Sequence, residues 1–345
     1  MPTLRDPTAD LKRIGFLLEA AQEPGYRVRA FRSAAATLTR IGPDELAARA
    51  AAGTLRELPG VGEVTERTIL ESLRGEEPVY LRRLESTEGR PLAEGAAELR
   101  AALRGDCHAH TEASDGGASI REMAESAIEL GHAYLAITDH SPRLTVANGL
   151  SRERLEAQLD EIAGLNAELA PFRILTGIEV DINEDGSLDQ DPDILARLDV
   201  VVGSVHSALR SEERAMTVRM VTGIADPNLD ILGHCTGRMK TGKRTRPPSA
   251  FDPELVFAAA ARFDKAIEIN SRPERLDPPK RLLRLAVEAG CRVSIDSDAH
   301  APGQLFWLGY GCERAFLCGV TEPMIVNAWG ADELLAWTAS HGPKA

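Results

Sequence analysis

The chain has 345 residues, 43% of them hydrophobic, and a formal net charge of −13; it is too apolar for a disordered chain and long enough for one large domain plus a small one. Residues 1–104 hold 16 basic and 16 acidic side chains, so the whole acidic excess lies in residues 105–345, a part with no strongly basic stripe and therefore little expected affinity for nucleic acid at large. No apolar run approaches the length of a membrane span, no signal peptide is expected, and five cysteines without paired spacing (107, 235, 291, 312, 318) point to reduced thiols and a cytoplasmic setting.

Residues 9–40 carry helical spacing at Leu11, Ile14, Leu17 and Leu18, with a break at Pro24-Gly25. Arg27, Arg29, Arg32 and Arg40 cluster around Phe31, either as a solvated helix face or as a surface for phosphate. A helix from Asp44 is closed by Gly53, and another is expected over 63–73. Between them lies Leu58-Pro59-Gly60-Val61-Gly62. Helix, Leu-Pro-Gly-Val-Gly, helix is the helix-hairpin-helix pattern. Its two glycines let backbone amides approach a DNA phosphate at a helix N-terminus. The competing reading is a tight turn that serves packing alone. Residues 86–103 read as a linker with a short helix, which divides the chain into a DNA-binding-type module (1–85), a linker (86–103) and a large domain (104–345).

From residue 104 the pattern alternates. Short apolar strands are expected over 104–109, 133–138, 173–180, 199–205, 229–233, 265–270 and 291–296, each followed by an amphipathic helix. Apolar runs alternating with helices mean parallel strands buried on both faces. Seven such units predict an α/β fold, a distorted (β/α)7 TIM-like barrel, with an open doubly wound sheet as the alternative. No Gly-x-Gly-x-x-Gly follows a strand, which counts against a dinucleotide fold.

Six of the eight histidines fall at the ends of these strands. Strand one ends in His108 and His110, two residues apart and so facing the same way, with Asp115 five residues on. His140, Glu179, His206 and His234 close or lie in the next four strands, and Asp298 and His300 follow the seventh. Strand C-termini converge on one face of a barrel. Six imidazoles and three carboxylates converging there would be a costly polar cluster unless they bind metal. His132 and His341 stand outside the pattern and read as ordinary surface residues.

These motifs, His108-Ala-His110 with Asp115, Thr-Asp-His140, Gly-Ile-Glu179, Ser-Val-His206, Leu-Gly-His234 and Asp298-Ala-His300, closely resemble those of the PHP (polymerase and histidinol phosphatase) superfamily. The segments 268–277 and 309–329 resemble the PHP domain at the C-terminus of bacterial family-X DNA polymerases, and the N-terminal 85 residues resemble their hairpin domain. The resemblance implies a metal-dependent phosphoesterase with two or three divalent ions (Zn, Mn or Fe). His108, His110, Glu179 and Asp298 would hold one; Glu179, His206 and His234 a second; Asp115, His140 and His300 a third. Glu179 would bridge two ions, Asp139 would orient an adjacent ligand, and Arg275 and Arg238 would grip substrate phosphate, their competing reading being surface ion pairs. The polymerase palm has no counterpart in these 104 N-terminal residues, so no polymerase activity is expected. The lyase lysine of the hairpin domain aligns with Thr68, and residues 63–73 contain no lysine, which argues against Schiff-base chemistry there. Cys235 replaces a proline common after the histidine of motif five. Three functions follow. A DNA-processing enzyme, a 3′–5′ exonuclease or a 3′-end or abasic-site repair enzyme, is favoured by the hairpin module. The alternatives are a small-molecule phosphatase of the histidinol-phosphatase type and a non-catalytic, metal-stabilised DNA-binding scaffold.

Overall fold

The computed structural model describes residues 5–87, 92–241 and 245–342, and the chain forms two compact units, residues 1–91 and 92–345. The first is all helical. α1 (Pro7–Ala20) opens where the Asp6 carboxylate accepts from the Thr8 amide and Pro7 takes the first helical position. α2 (Gly25–Ala52) begins after the expected break and takes in the second expected helix, with a break at Gly42–Pro43. Gly42 leaves the helical region there (φ 75°, ψ 174°), so the helical backbone is interrupted and restarts at Pro43, giving the second helix closed by Gly53. α3 (Glu63–Leu73) and α4 (Val79–Thr87) complete the unit. Leu11, Ile14, Leu18, Phe31, Leu38, Leu55 and Ile69 form its core. Two of the arginines around Phe31 are occupied within the fold: Arg27 by Glu23 and the Tyr80 hydroxyl, Arg32 by Glu19.

The second unit starts with α5 (Glu94–Ala102), so part of the stretch read as linker is a helix of this unit. Then come β1 (Gly105–Ala109), α6 (Ile120–Glu129), β2 (Tyr134–Ile137), α7 (Arg152–Leu169), β3 (Arg173–Asp181), α8 (Pro192–Leu195) and β4 (Val200–Ser204). α9 (Glu213–Ala225), β5 (Ile231–Leu232), α10 (Pro253–Arg262), β6 (Ala266–Asn270), α11 (Lys280–Glu288), β7 (Arg292–Asp296), α12 (Leu308–Leu317) and α13 (Ala331–Ala339) follow. The seven strands are parallel and lie in chain order, a nearly closed α/β barrel of TIM-like type. Runs such as Val200, Val201 and Val202 are wholly buried because helices cover one face and the barrel interior the other.

Seven strands leave a seam between β7 and β1. It is closed by side chains: Asp296 accepts from the Cys107 amide at 2.9 Å, and Asn327 donates to the carbonyls of Gly105 (3.0 Å) and Ile295 (2.7 Å). Its own amide oxygen accepts from Ile295 N at 3.0 Å. The Ala109–Ala299 bridge extends the seam to the C-terminal rim, where His110 N donates to Ala299 O. His132 is buried and the side chain of His341 is 1% exposed, which corrects their surface reading. His132 packs beside Arg100, and His341 Nδ1 lies 2.7 Å from Asp230. Both are polar contacts between residues 32 and 111 positions apart, which helical or strand periodicity does not reveal.

Candidate metal centre

Glu179, near the C-terminal end of β3 and 1% exposed, is the centre of the rim. Its Oε2 lies 3.3 Å from His108 Nε2, 3.5 Å from His110 Nε2 and 2.9 Å from His140 Nδ1. Its Oε1 lies 3.3 Å from His206 Nε2 and 2.9 Å from His234 Nε2. Strand geometry explains the convergence. His108 in β1 and His110 just past its end are two residues apart and so face one side, and His140 pairs with Glu179 across an isolated parallel bridge. Beside this group, Asp115 Oδ1 lies 3.6 Å from His140 Nε2, 3.4 Å from His300 Nε2 and 4.0 Å from His110 Nδ1.

Burial alone would raise the Glu179 carboxyl, but the imidazoles of His108, His206 and His140 hold it well below the usual carboxylate range. Asp298 is likewise held low against burial by His110, Arg272 and Arg275. Burial, with His300 and His140 adding to it, pushes His110 down to about 3, so its ring is neutral and one of its nitrogens keeps a free lone pair.

The donor set fits metal. His108 Nε2, both nitrogens of His110 and His206, His140 Nδ1, and both oxygens of Glu179 are buried without a hydrogen-bond partner. Each such atom costs about 1–3 kcal/mol if left unpaired, and they all surround one carboxylate. Three sets have ligand atoms within 4.8 Å of one another: His110, Asp115, His140 and His300; His108, His110 and Glu179; His140, Glu179 and His206. All nine expected ligands thus share one rim, with differences of grouping. His110 and His140 each serve two sets. Asp298 touches His110 Nε2 at 3.5 Å, but its Oδ2 is engaged by Asn270 and Arg275. His234 reaches Glu179 without joining a set. Imidazole and carboxylate donors suit zinc, manganese or iron. Cys235 does not contribute: its Sγ faces Asp277 at 3.9 Å.

The groups expected to act on substrate are sorted by their contacts. Arg275 stands over Asp298, its Nε 3.2 Å from Oδ2, and its Nε and Nη1 are buried donors without a hydrogen-bond partner. Arg238 is turned away: its Nε and Nη2 donate to the carbonyls of Arg275 and Leu276, so it braces the loop that presents Arg275. The Asp139 carboxylate bonds no candidate ligand, and the backbone carbonyl of Asp139 accepts from Glu179 N at 3.1 Å. The carboxylate accepts from Thr111 N and Oγ1, Ser114 Oγ and Gln158 Nε2, and so anchors the β1–α6 loop that carries Asp115. Its reach is through that loop, because four donors already fill its lone pairs.

Three residues escaped the sequence reading. Glu268 in β6 lies 2.6 Å from His108 Nδ1, fixing the tautomer that leaves Nε2 toward Glu179, and also accepts from His234 N. Asp181 accepts from His206 N and lies 3.7 Å from its ring. Arg272 lies 3.8 Å from Asp298. The signal for Glu268 was an acid within the apolar run Ala-Ile-Glu-Ile-Asn.

The PHP domain matches residues 106–271. A probable phosphatase of Caldanaerobacter subterraneus subsp. tengcongensis is 31% identical over 220 residues, covering 60% of this chain and 79% of that protein. The chain belongs to the PHP family. Another PHP relative, the DNA polymerase/3′-5′ exonuclease PolX of Bacillus subtilis, is 44% identical over 198 residues, 57% of this chain. The match takes in 34% of PolX, so the chain spans about a third of that relative. Among solved structures, histidinol phosphate phosphatase from Lactococcus lactis, complexed with zinc, L-histidinol and phosphate, has a TM-score of 0.48 and 20% identity, covering 63% of this chain and 94% of that one. Among the described residues, no helix is long and apolar enough to cross a membrane.

Proposed function

We propose that this PHP-domain phosphoesterase acts on DNA, removing nucleotides or blocking groups from 3′ ends in repair. The observation that carries the hydrolase reading is the ring of five imidazoles around Glu179 with its unpartnered nitrogens. Bound divalent ions would supply the positive charge that favours attack on phosphorus. In this reading His108, His110, Asp115, His140, Glu179, His206, His234, Asp298 and His300 hold those ions. Arg275 receives the phosphate, Arg238 braces it, and Glu268 keeps His108 in its ligating tautomer.

The first unit supports DNA as substrate. Gly60 is required by the fold: its φ is 79°, and a Cβ there would come 2.9 Å from Ser33 Cβ. Gly62 is not. Its φ is −109°, and a Cβ there would meet nothing within 4 Å. A residue kept bare at the N-terminus of α3 without an internal reason suits close approach by an external phosphate. Thr68 supports no lyase role, being buried with its hydroxyl donating to Val64 O. The five cysteines are unpaired and buried, in keeping with a reducing compartment.

A small-molecule phosphatase is the second reading, favoured by the 79% coverage of the phosphatase relative. Deleting residues 1–91 separates the two. A DNA enzyme keeps p-nitrophenyl phosphate hydrolysis and loses kcat/KM on a 3′-recessed duplex, with a loss that shrinks as salt rises. Unchanged duplex turnover at low salt makes the small-molecule reading the better one.

A further inference from the structure

The loops after β5 and β6 gather cations in a unit whose sequence is otherwise acidic. Between Asp230 and Asp252 the chain has no acidic residue, and among the described residues this stretch carries Arg238, Lys240 and Arg246. It folds back on itself through the Met239–Arg246 bridge, and Arg246 Nε donates to Gly237 O at 2.6 Å. It is stitched to the next loop by Lys240 N donating to Glu274 O and by Arg238 donating to the carbonyls of Arg275 and Leu276. That next loop carries Arg272 and Arg275 at the edge of Asp298 and leads into α11.

α11 opens on Lys280-Arg281 after Pro279, with no acidic residue in its first turn and no side-chain cap. Two cations at the positive end of a helix dipole disfavour that helix. Beneath the turn, Arg314 is 6% exposed, and its Nε is buried without a hydrogen-bond partner. Lys240 and Lys280 are exposed, and neither they nor Arg246 makes an ion pair among the described residues. The acids facing this patch are Glu274, which lies 3.6 Å from Arg272, and Asp277, which accepts from Thr236 and the Arg238 amide. Mutual repulsion is felt: burial, then Arg238, Arg314 and Lys280, push Lys240 down, and burial followed by Arg275 does the same to Arg246.

We propose that Lys240, Arg246 and Lys280 form a phosphate track that holds the backbone of a nucleic-acid strand next to the phosphate being hydrolysed. This rests on the DNA reading and extends it, because a small phosphomonoester has no second phosphate to place there. The track accounts for the uncompensated start of α11: an anion supplied by the substrate balances it.

The test uses the full chain and a Lys240→Glu/Lys280→Glu variant, with Lys240→Ala/Lys280→Ala in reserve should the first fail to fold. A single-stranded tetranucleotide and inorganic phosphate are compared as competitive inhibitors of p-nitrophenyl phosphate hydrolysis, and binding of the fluorescent tetranucleotide gives the same ratio without turnover. The expected result is a tetranucleotide Ki raised on the order of tenfold or more, with the phosphate Ki and ester turnover within about twofold of the parent. In the alanine variant, log Ki loses about 1.4 of its slope against log salt, two contacts at about 0.7 each. Lys280→Glu alone is expected to raise the thermal midpoint while weakening the tetranucleotide, a split that a merely structural lysine does not produce. A tetranucleotide Ki that stays put, or that rises only as much as that of phosphate, overturns the track. A parent enzyme that cleaves no phosphodiester overturns the DNA reading, and the Ki comparison still decides the track.

Discussion

Five imidazole nitrogens lie within 3.5 Å of the two Glu179 oxygens, whereas Asp115 is 35% exposed and faces one side of the cluster. Glu179→Ala is therefore expected to abolish turnover, by at least about a thousandfold, while Asp115→Ala loses about 10–100-fold. Steady-state rates at saturating metal check this; equal, mild losses would remove Glu179 from the centre. A second residue reports through pH. Burial, then Arg100, push His132 down to about 3, so the folded protein resists a proton that the unfolded chain accepts below about 6.5. Stability is unaffected above that value and falls as pH drops from about 6.5 toward 3, by about 2 kcal/mol at pH 5. Urea midpoints of the parent and His132→Gln at pH 7 and pH 5 read the difference: the variant's midpoint should fall less.

Two elements make contrasting demands on single positions. In the turn before α3, Gly60→Ala forces a left-handed residue against Ser33 and is expected to lower stability by about 1–2 kcal/mol or more. Gly62→Ala sits in open space and should stay within about 1 kcal/mol of the parent. If the turn meets DNA, Gly62→Ala nevertheless weakens duplex binding; thermal melts and fluorescence anisotropy on both variants separate the two roles. At the barrel seam, Asn327 exchanges two bonds with Ile295 and donates to Gly105. Asn327→Leu strands those buried backbone groups and should cost about 3–5 kcal/mol, read as a lower denaturant midpoint.

For the molecule as a whole, metal and folding are linked. Ions that bind the assembled rim and not the unfolded chain stabilise the barrel by mass action, by about 4 kcal/mol at a thousandfold excess over Kd. Elemental analysis of protein purified without chelator is expected to find two or three ions per chain, and chelation to lower the barrel's thermal midpoint. An unchanged midpoint after metal removal would contradict the site.

The residues that gather around Glu179 and the seven strands were legible in the chain itself. A parallel strand buried on both faces must be an apolar run, and a metal ligand at its end must interrupt that run with a His, Asp or Glu; both marks are local, as at Val200–Ser204 followed by His206. The turn at Leu58–Gly62 was legible for the same reason, as Gly60 is a local backbone requirement. What only the tertiary structure decided depends on groups far apart in the chain. Glu268 finds His108 across 160 residues, and Asn327 closes the seam with Gly105 across 222. Arg238 turns to its neighbour loop, and Asp139 is consumed by four donors. Of the cations of the proposed track, Lys240 and Arg246 lie in one basic run of the chain, whereas Lys280 joins them only when the β5 and β6 loops are laid side by side. Side-chain direction is set by such distant partners, and no local pattern encodes it.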